Sequence, residues 1–206
     1  MARRWVSVVL VVLGALGGLA IYLTRAPADV FAECRGSQVG IGRAAIGGPL
    51  SLIDETGKAV TEADMFQKPT LLYFGYTFCP DVCPLDNARN AEALQLLQDR
   101  GLDAQAAMIS IDPERDTPEK LAEFTDYMHP DMVGYTGTPE QIKAASQAYK
   151  TYYAKQEDGD PEYYLMDHST LTYLIMPDYG FAEFFKRGDS AEDMADRVAC
   201  YIEAAQ

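Results

Sequence analysis

The sequence predicts a mixed α/β fold in which helices cover both faces of one sheet. Short apolar runs that favour strands alternate with amphipathic stretches that favour helices. Near the C-terminus two strands are separated only by a tight turn, which is typical of a sheet that is not purely parallel. About 160 residues follow the N-terminal region of the 206-residue chain, enough for one domain with a sizeable core.

The predicted elements follow one another as a hairpin, three strand–helix pairs, a second hairpin and a final helix. In chain order they are a hairpin over 50–60, a strand from 71, a helix over 87–100, a strand over 106–111, a helix over 120–128, a marginal strand over 132–135, a helix from 139 to about 155, a turn over 156–161, a strand over 171–176, a turn over 177–180, a strand over 181–186 and a helix opened by Ser190. Thr117 and Thr138 are each followed by proline, and an N-cap threonine with proline at the first helical position starts a helix. Ser190, with Asp193 three residues later, approximates a capping box.

The stretch 71–84 is the one around which the chain is organised. It begins as an apolar, aromatic-rich run, typical of a buried strand, and breaks at Cys79-Pro80. The following helix carries apolar side chains on one face, Ala88, Ala91, Leu94 and Leu97. Pro80 fits the first helical position. Cys79 and Cys83 therefore lie where a strand ends and a helix begins.

This position favours reactive or metal-binding thiols. Side chains at i and i+4 meet on one helix face, and the helix N-terminus stabilises a thiolate. We expect the corner to expose Cys79 and Cys83. The alternative is a structural pair, either a buried disulfide or two inert core thiols.

The N-terminus predicts a membrane anchor. No charged side chain occurs in the nineteen residues from Trp5 to Leu23, enough to span a bilayer. Arg3 and Arg4 precede the run, so the positive-inside rule places residues after Arg25 outside the cytoplasm. Cleavage near 26–28 is an alternative, but we expect an uncleaved anchor over 1–25, a tether over 26–45 and a domain over 46–206. The short N-terminus favours a bacterial inner membrane with the domain in the periplasm, ahead of a mitochondrial inner membrane facing the intermembrane space.

The charge balance excludes one class of function. After residue 25 there are 31 acidic against 14 basic side chains, a formal charge of −17. Nucleic-acid binding needs a basic face to neutralise phosphates, so no nucleic-acid partner is expected.

Two further cysteines, Cys34 and Cys200, lie far apart in the sequence. The expected compartment is oxidising, and four cysteines allow three pairings. Close spacing makes Cys79 and Cys83 one pair. Cys34 and Cys200 either form a staple between the N-terminal segment and the last helix or remain free thiols.

The chain has two histidines. His129 ends a helix, where a structural or surface role is expected. His168 precedes a strand that should pack beside the strand leading to the cysteines. Two thiolates and one imidazole would form a soft ligand set that selects copper(I) or zinc. Zinc usually needs a fourth ligand, which Asp81 could supply.

Three motifs carry a resemblance to a known family. The run Tyr73-Phe-Gly-Tyr-Thr-Phe-Cys-Pro-Asp-Val-Cys-Pro84, the loop Asp112-Pro-Glu-Arg-Asp-Thr-Pro118 and the triplet Asp167-His168-Ser169 resemble the Sco/SenC family in order and spacing. The resemblance covers about 45–206.

The resemblance implies a thioredoxin-like fold tethered to an energy-coupling membrane, with copper bound by Cys79, Cys83 and His168. It implies a role in building the binuclear copper centre of cytochrome c oxidase, with that enzyme's copper-bearing subunit as acceptor and another copper-donor chaperone as a further partner. For the 112–118 loop, we expect Asp112 and Asp116 to fix the loop beside the metal site.

Two hypotheses remain open for the function. A metallochaperone would need His168 and an accessible metal. A thiol–disulfide oxidoreductase would use Cys79 to attack a partner and Cys83 to resolve the intermediate, leaving His168 optional. A structural zinc protein ranks below both, since a core of this size should fold without metal.

Overall fold

The computed structural model describes residues 29–36, 46–156 and 163–206. Its strands are β1 (Ser51–Asp54), β2 (Ala59–Thr61), β3 (Thr70–Gly75), β4 (Gln105–Ser110), β5 (Met132–Thr136), β6 (Tyr153–Lys155), β7 (Met166–His168), β8 (Thr172–Met176) and β9 (Gly180–Phe185). Its helices are α1 (Glu62–Met65), α2 (Val82–Asp99), α3 (Pro118–Met128), α4 (Pro139–Ala148) and α5 (Ala191–Ala204), and a short 3₁₀ helix spans Ala32–Cys34.

Seven strands form one mixed sheet in the order β2-β1-β5-β4-β3-β8-β9. The central strands β3, β4 and β5 are parallel, whereas β8 runs antiparallel to β3 and β1 antiparallel to β5. Strands β6 and β7 pair with each other in a separate two-stranded sheet. The predicted mixed sheet is therefore confirmed, and with it the packing of the strand after His168 beside the strand that leads to the cysteines.

Two hydrophobic clusters cover the central strand. Leu71 belongs to the cluster formed with α2 and α5, and Leu72 to the cluster formed with α3 and α4. Successive side chains of a strand point to opposite faces, so helices lie on both faces of the sheet. All six residues of β3 are buried, as expected of a strand covered on both sides.

The predicted helix starts are confirmed at three N-caps. The side chains of Thr117, Thr138 and Ser190 each accept a hydrogen bond from the backbone N–H three residues later. The backbone N–H of Thr138 also donates to the side-chain oxygen of Gln141, which completes a capping box. Each cap stabilises its helix by about 1 kcal/mol.

Two predicted boundaries are wrong. Helix α2 begins at Val82 with Asp81 as N-cap, so Pro80 precedes the helix and does not occupy its first position. Helix α4 ends at Ala148 rather than near 155, because Lys150 takes a left-handed φ of 54° that helical backbone cannot accommodate. The aromatic run that follows favours a strand and forms β6. The turn predicted over 156–161 lies almost wholly outside the described residues.

The N-terminal segment 29–36 is fixed to the domain. A disulfide joins Cys34 to Cys200, which confirms the staple between this segment and the last helix. Phe31 is 3% exposed and contacts the rings of Tyr179 and Tyr201. This part of the stretch predicted as a tether is therefore packed against the domain.

Within the described ranges, no helix combines the length and apolar character needed to cross a membrane. The run from Trp5 to Leu23, where the sequence predicts an anchor, lies outside those ranges. The boundaries at 25 and 45 remain predictions.

Replacing both Cys34 and Cys200 with alanine should lower the free energy of unfolding by about 3 kcal/mol, because a cross-link over a long chain segment restricts the unfolded state. The two residues are 166 positions apart. Chemical denaturation of the parent and the double variant measures the difference. A loss below about 0.5 kcal/mol would show that the disulfide has no stabilising role.

Candidate metal centre

Cys79 and Cys83 meet at the N-terminus of α2. Cys79 lies in the turn after β3, where its backbone N–H donates to the Tyr76 carbonyl at 3.3 Å. The backbone N–H of Cys83, in the first turn of the helix, donates to Cys79 Sγ at 3.3 Å. The N-cap residue Asp81 makes no side-chain capping bond, so the sulfur satisfies an N–H group that a cap would normally bind.

His168 is the last residue of β7, and its side chain lies beside Cys79 and Cys83. Its Nδ1 lies 2.8 Å from the carbonyl oxygen of Ser169, which can only accept. Nδ1 therefore carries the proton, and in the neutral ring Nε2 has a free lone pair. That Nε2 lies 3.3 Å from Cys83 Sγ. The hydrogen bond from Nδ1–H to the Ser169 carbonyl thus orients the ring so that Nε2 can bind a metal.

The structure brings the three predicted ligands together. One ligand atom from each of Cys79, Cys83 and His168 lies within 4.8 Å of the others. Asp81, predicted as a possible fourth ligand, is exposed and is not part of this group. Two sulfurs and one imidazole nitrogen could hold a metal, and they suit copper(I) or zinc better than a hard cation.

The expectation that the corner exposes the cysteines is wrong. Cys79 is 8% exposed and Cys83 is fully buried. The cause is tertiary: β3 is covered on both faces, and the β6–β7 hairpin carries His168 against the cysteines. Both thiols are free, so the alternative of a buried disulfide between them is not what the structure contains.

Two tyrosines of the motif line the site. The rings of Tyr73 and Tyr76 each meet the imidazole of His168 edge-on, at centroid distances of 6.1 and 5.9 Å. The Tyr73 hydroxyl donates to Asp86 at 3.0 Å, and the Tyr76 hydroxyl accepts from the backbone N–H of Met166 at 3.2 Å. These contacts make the two rings part of the wall around the candidate site.

Gly75 is a site residue that the sequence analysis missed. A Cβ at this position would lie 2.7 Å from a ring carbon of Tyr73 and 3.1 Å from Cys83 Sγ. Only glycine lets the strand pass so close to the buried sulfur. A lone glycine at the end of an apolar strand was the available signal.

The 112–118 loop fixes the surroundings of the cysteines, as predicted. The buried carboxylate of Asp116 accepts hydrogen bonds from the backbone N–H and hydroxyl of Thr77, two residues before Cys79, at 3.0 and 2.6 Å. It also accepts from the Ser110 hydroxyl at 2.6 Å. The other acidic residue, Asp112, pairs with Arg115 and accepts from the Tyr164 hydroxyl at 2.7 Å.

Hydrogen bonding shifts the pKa values of Cys79 and Cys83 in opposite directions. The pKa of Cys79 lies far below its ordinary value, chiefly because the Cys83 side chain hydrogen-bonds to its thiolate. The backbone N–H groups of Asp81 and Cys83 lower it further, against the opposing effect of burial. The same bond, with burial, raises the pKa of Cys83. At neutral pH the site therefore holds one thiolate and one thiol.

His129 has the structural role that was one of its two predicted roles. It is 7% exposed at the C-terminal end of α3, and its Nδ1 accepts from the backbone N–H of Asp131 at 3.0 Å. It takes no part in the cluster of metal-binding side chains found in the described residues.

Comparison with known proteins places the chain among relatives that share this fold. SenC of Rhodobacter capsulatus is 50% identical over 200 residues, covering 97% of this chain and 89% of that protein. The structure of Arabidopsis thaliana ScoI with copper bound is similar with a TM-score of 0.72 and 40% sequence identity, over 77% of this chain and 99% of that one. BsSco, described as a member of the Sco family of cytochrome c oxidase assembly proteins, shares the fold with a TM-score of 0.62 at 22% identity, over 76% of this chain and 93% of its own. A model of the SCO1/SenC family matches residues 39–203, well over half of the sequence, and the chain therefore belongs to the SCO1/SenC family.

Proposed function

We propose that this protein is a copper metallochaperone that binds copper through Cys79, Cys83 and His168 and helps assemble the binuclear copper centre of cytochrome c oxidase. The observation that carries the proposal is the convergence of two sulfurs and a free imidazole nitrogen within 4.8 Å. The copper-bound relative and the assembly role described for BsSco support the choice of metal and destination.

The three ligands suit transfer as well as binding. Copper(I) is stable with few soft ligands, so an acceptor's thiolates can replace Cys79, Cys83 and His168 one at a time. His168 sits on the small hairpin, and its Nδ1–H bond to Ser169 keeps Nε2 ready to bind again. The Cys79 thiolate, stabilised at the helix N-terminus, is ready to receive the metal.

We also propose the setting in which this happens. Residues 1–25 anchor the chain in a bacterial inner membrane, and the domain faces the periplasm. The acceptor is the copper-bearing subunit of cytochrome c oxidase, and a second copper chaperone is the donor. The uncharged run and its flanking arginines, Arg3 and Arg4, support this topology.

Replacing His168 with alanine should weaken copper(I) binding by roughly ten- to a hundredfold, since one of three ligands is lost. The purified full-length protein, with Cys79 and Cys83 reduced and oxygen excluded, is titrated with copper(I) against a competing chelator. His129→Ala, which removes the other histidine, should bind like the parent. Equal affinity in His168→Ala and the parent would exclude the three-ligand site.

Copper(I) uptake at neutral pH should release about one proton from the cysteines, because metal binding requires thiolates and only Cys83 is still protonated. Calorimetric titration in buffers of different ionisation enthalpy counts the protons. Release of two protons would show that Cys79 is also a thiol in the free protein.

Thiol–disulfide exchange is the second candidate, favoured by the unlike thiols. The Cys79 thiolate would attack a partner disulfide and form a mixed disulfide, and Cys83 would then resolve it, leaving a Cys79–Cys83 disulfide and a reduced partner. This reaction does not need His168 as a ligand. His168→Ala therefore separates the two functions, because it should lose tight copper binding and keep thiol exchange.

A further inference from the structure

The metal centre is assembled from two parts of the chain. Cys79 and Cys83 belong to the corner between β3 and α2, whereas His168 belongs to the β6–β7 hairpin, which is not hydrogen-bonded into the seven-stranded sheet. The chain enters the hairpin at Tyr153, shortly after α4, and enters β8 at Thr172, so the end at which Tyr153 pairs with His168 is fixed by both connections. Its other end, at Met166, depends on side-chain contacts with the domain.

One guanidinium touches both parts. The Cζ atom of Arg115 lies 3.6 Å from the ring centroid of Tyr164, in the segment that leads into the hairpin, and 4.6 Å from that of Phe78, the residue before Cys79. It also lies 5.8 Å from the ring of Tyr76, whose hydroxyl accepts from the hairpin. A cation stacked on aromatic faces is attracted more strongly where water is excluded.

Asp112 fixes the orientation of this stack. One of its carboxylate oxygens accepts from Arg115 Nε, and the other accepts from the Tyr164 hydroxyl at 2.7 Å. Asp112 is 2% exposed and Tyr164 4%. The two terminal amino groups of Arg115, Nη1 and Nη2, are buried and have no hydrogen-bond partner among the residues that the structure describes. Hydrogen bonding therefore uses only one edge of the guanidinium, and its main contacts are the ring faces.

We propose that Arg115, held by Asp112, is a positioning residue that clamps the hairpin to the cysteine corner and so sets His168 at bonding distance from the metal. The clamp is made of Arg115, Asp112, Tyr164 and Phe78. The proposal rests on the proposed copper site, and it assigns a task to the arginine of the 112–118 motif. Without the clamp, the protein keeps its two cysteine ligands and loses the histidine.

The first test needs no copper. In the reduced, metal-free full-length protein, Arg115→Ala should raise the amide exchange rates of Met166 and Ser169 by about tenfold, because local opening of the hairpin becomes easier. Arg100→Ala is the matched control, since Arg100 forms an ion pair with exposed Asp196, and it should leave these rates unchanged. Tyr164→Phe, which keeps the ring and loses the hydroxyl's bonds to Asp112 and Glu114, should give a smaller increase. Unchanged exchange in Arg115→Ala would overturn the clamp.

The second test asks whether Arg115 acts through His168. Arg115→Ala should weaken copper(I) binding by about tenfold, in the range typical of residues that orient a ligand. The same change in a His168→Ala background should have no further effect, and X-ray absorption of Arg115→Ala should lose the imidazole scattering from copper. Arg115→Lys should recover only part of the affinity, because an ammonium keeps the charge but has no planar face to stack on both Tyr164 and Phe78. Equal weakening in both backgrounds would overturn the positioning role. If His168→Ala itself binds like the parent, the copper proposal fails, and the exchange experiment still decides the clamp.

Discussion

Replacing Cys83 with serine should weaken copper(I) binding by more than a hundredfold. Loss of His168 leaves both sulfurs in place, whereas loss of Cys83 removes one of the only two sulfur ligands of the proposed site, so its effect should be larger than that of His168→Ala. Serine has nearly the same shape but offers a hard, protonated oxygen where copper(I) prefers sulfur. Cys83 is fully buried and its Sγ lies 3.3 Å from His168 Nε2, so no other sulfur can take its place without rearrangement.

The substitution leaves the rest of the centre in place. The bond from residue 83 to Cys79 Sγ is made by a backbone N–H, which serine retains. Loss of affinity therefore reports the missing sulfur and not a collapsed helix start. A competition titration measures the affinity, and the Cys34→Ser/Cys200→Ser double variant, which also removes cysteines, should bind like the parent. Affinity of Cys83→Ser within tenfold of the parent would contradict the proposed ligand set.

The sequence predicted two of the candidate ligands, Cys79 and Cys83, because they belong to a local motif. A strand that leads to Cys79 and a helix that contains Cys83 can be recognised from hydrophobic pattern and spacing alone. His168 needed more, since it lies 85 residues from Cys83. Its pairing with the cysteines came from the family resemblance and from the composition of the ligand set, and the structure supplies the distance.

The burial of the site could not be predicted in this way. A strand-to-helix corner is exposed when considered alone, but Cys79 is buried in a cluster to which several elements contribute, the hairpin among them. The helical pattern continues through Lys150 and so predicts helix where β6 begins. A single left-handed residue, here Lys150, is enough to end a helix. The contacts of Arg115 with Phe78 and Tyr164 could not be predicted from the sequence either. They join three segments through side chains and leave no periodic pattern in the sequence.

Replacing Asp116 with alanine should lower the free energy of unfolding by about 4 kcal/mol, as three hydrogen-bond donors lose their buried acceptor. Asp116 is fully buried and binds Thr77 twice and Ser110 once. Leaving these groups unpaired costs more than the bonds themselves contribute. Copper(I) binding should weaken as well, because Thr77 fixes the start of the turn that carries Cys79. Chemical denaturation and the copper titration measure the two effects.

Replacing Asp116 with asparagine separates the loss of the carboxylate charge from the loss of the hydrogen-bond acceptor. Its amide can accept from the Thr77 N–H and the Ser110 hydroxyl, so Asp116→Asn should retain most of the stability that alanine loses. Burial raises the pKa of Asp116, against the hydrogen bonds that lower it. A group whose folded-state pKa is raised contributes stability that is fully present below its unfolded-state pKa and is lost as the pH rises through the folded-state value. The stability of the parent relative to Asp116→Asn should therefore fall as the pH rises above about 4. If the hydrogen bonds outweighed burial and lowered the folded-state pKa of Asp116, this relative stability would instead rise with pH.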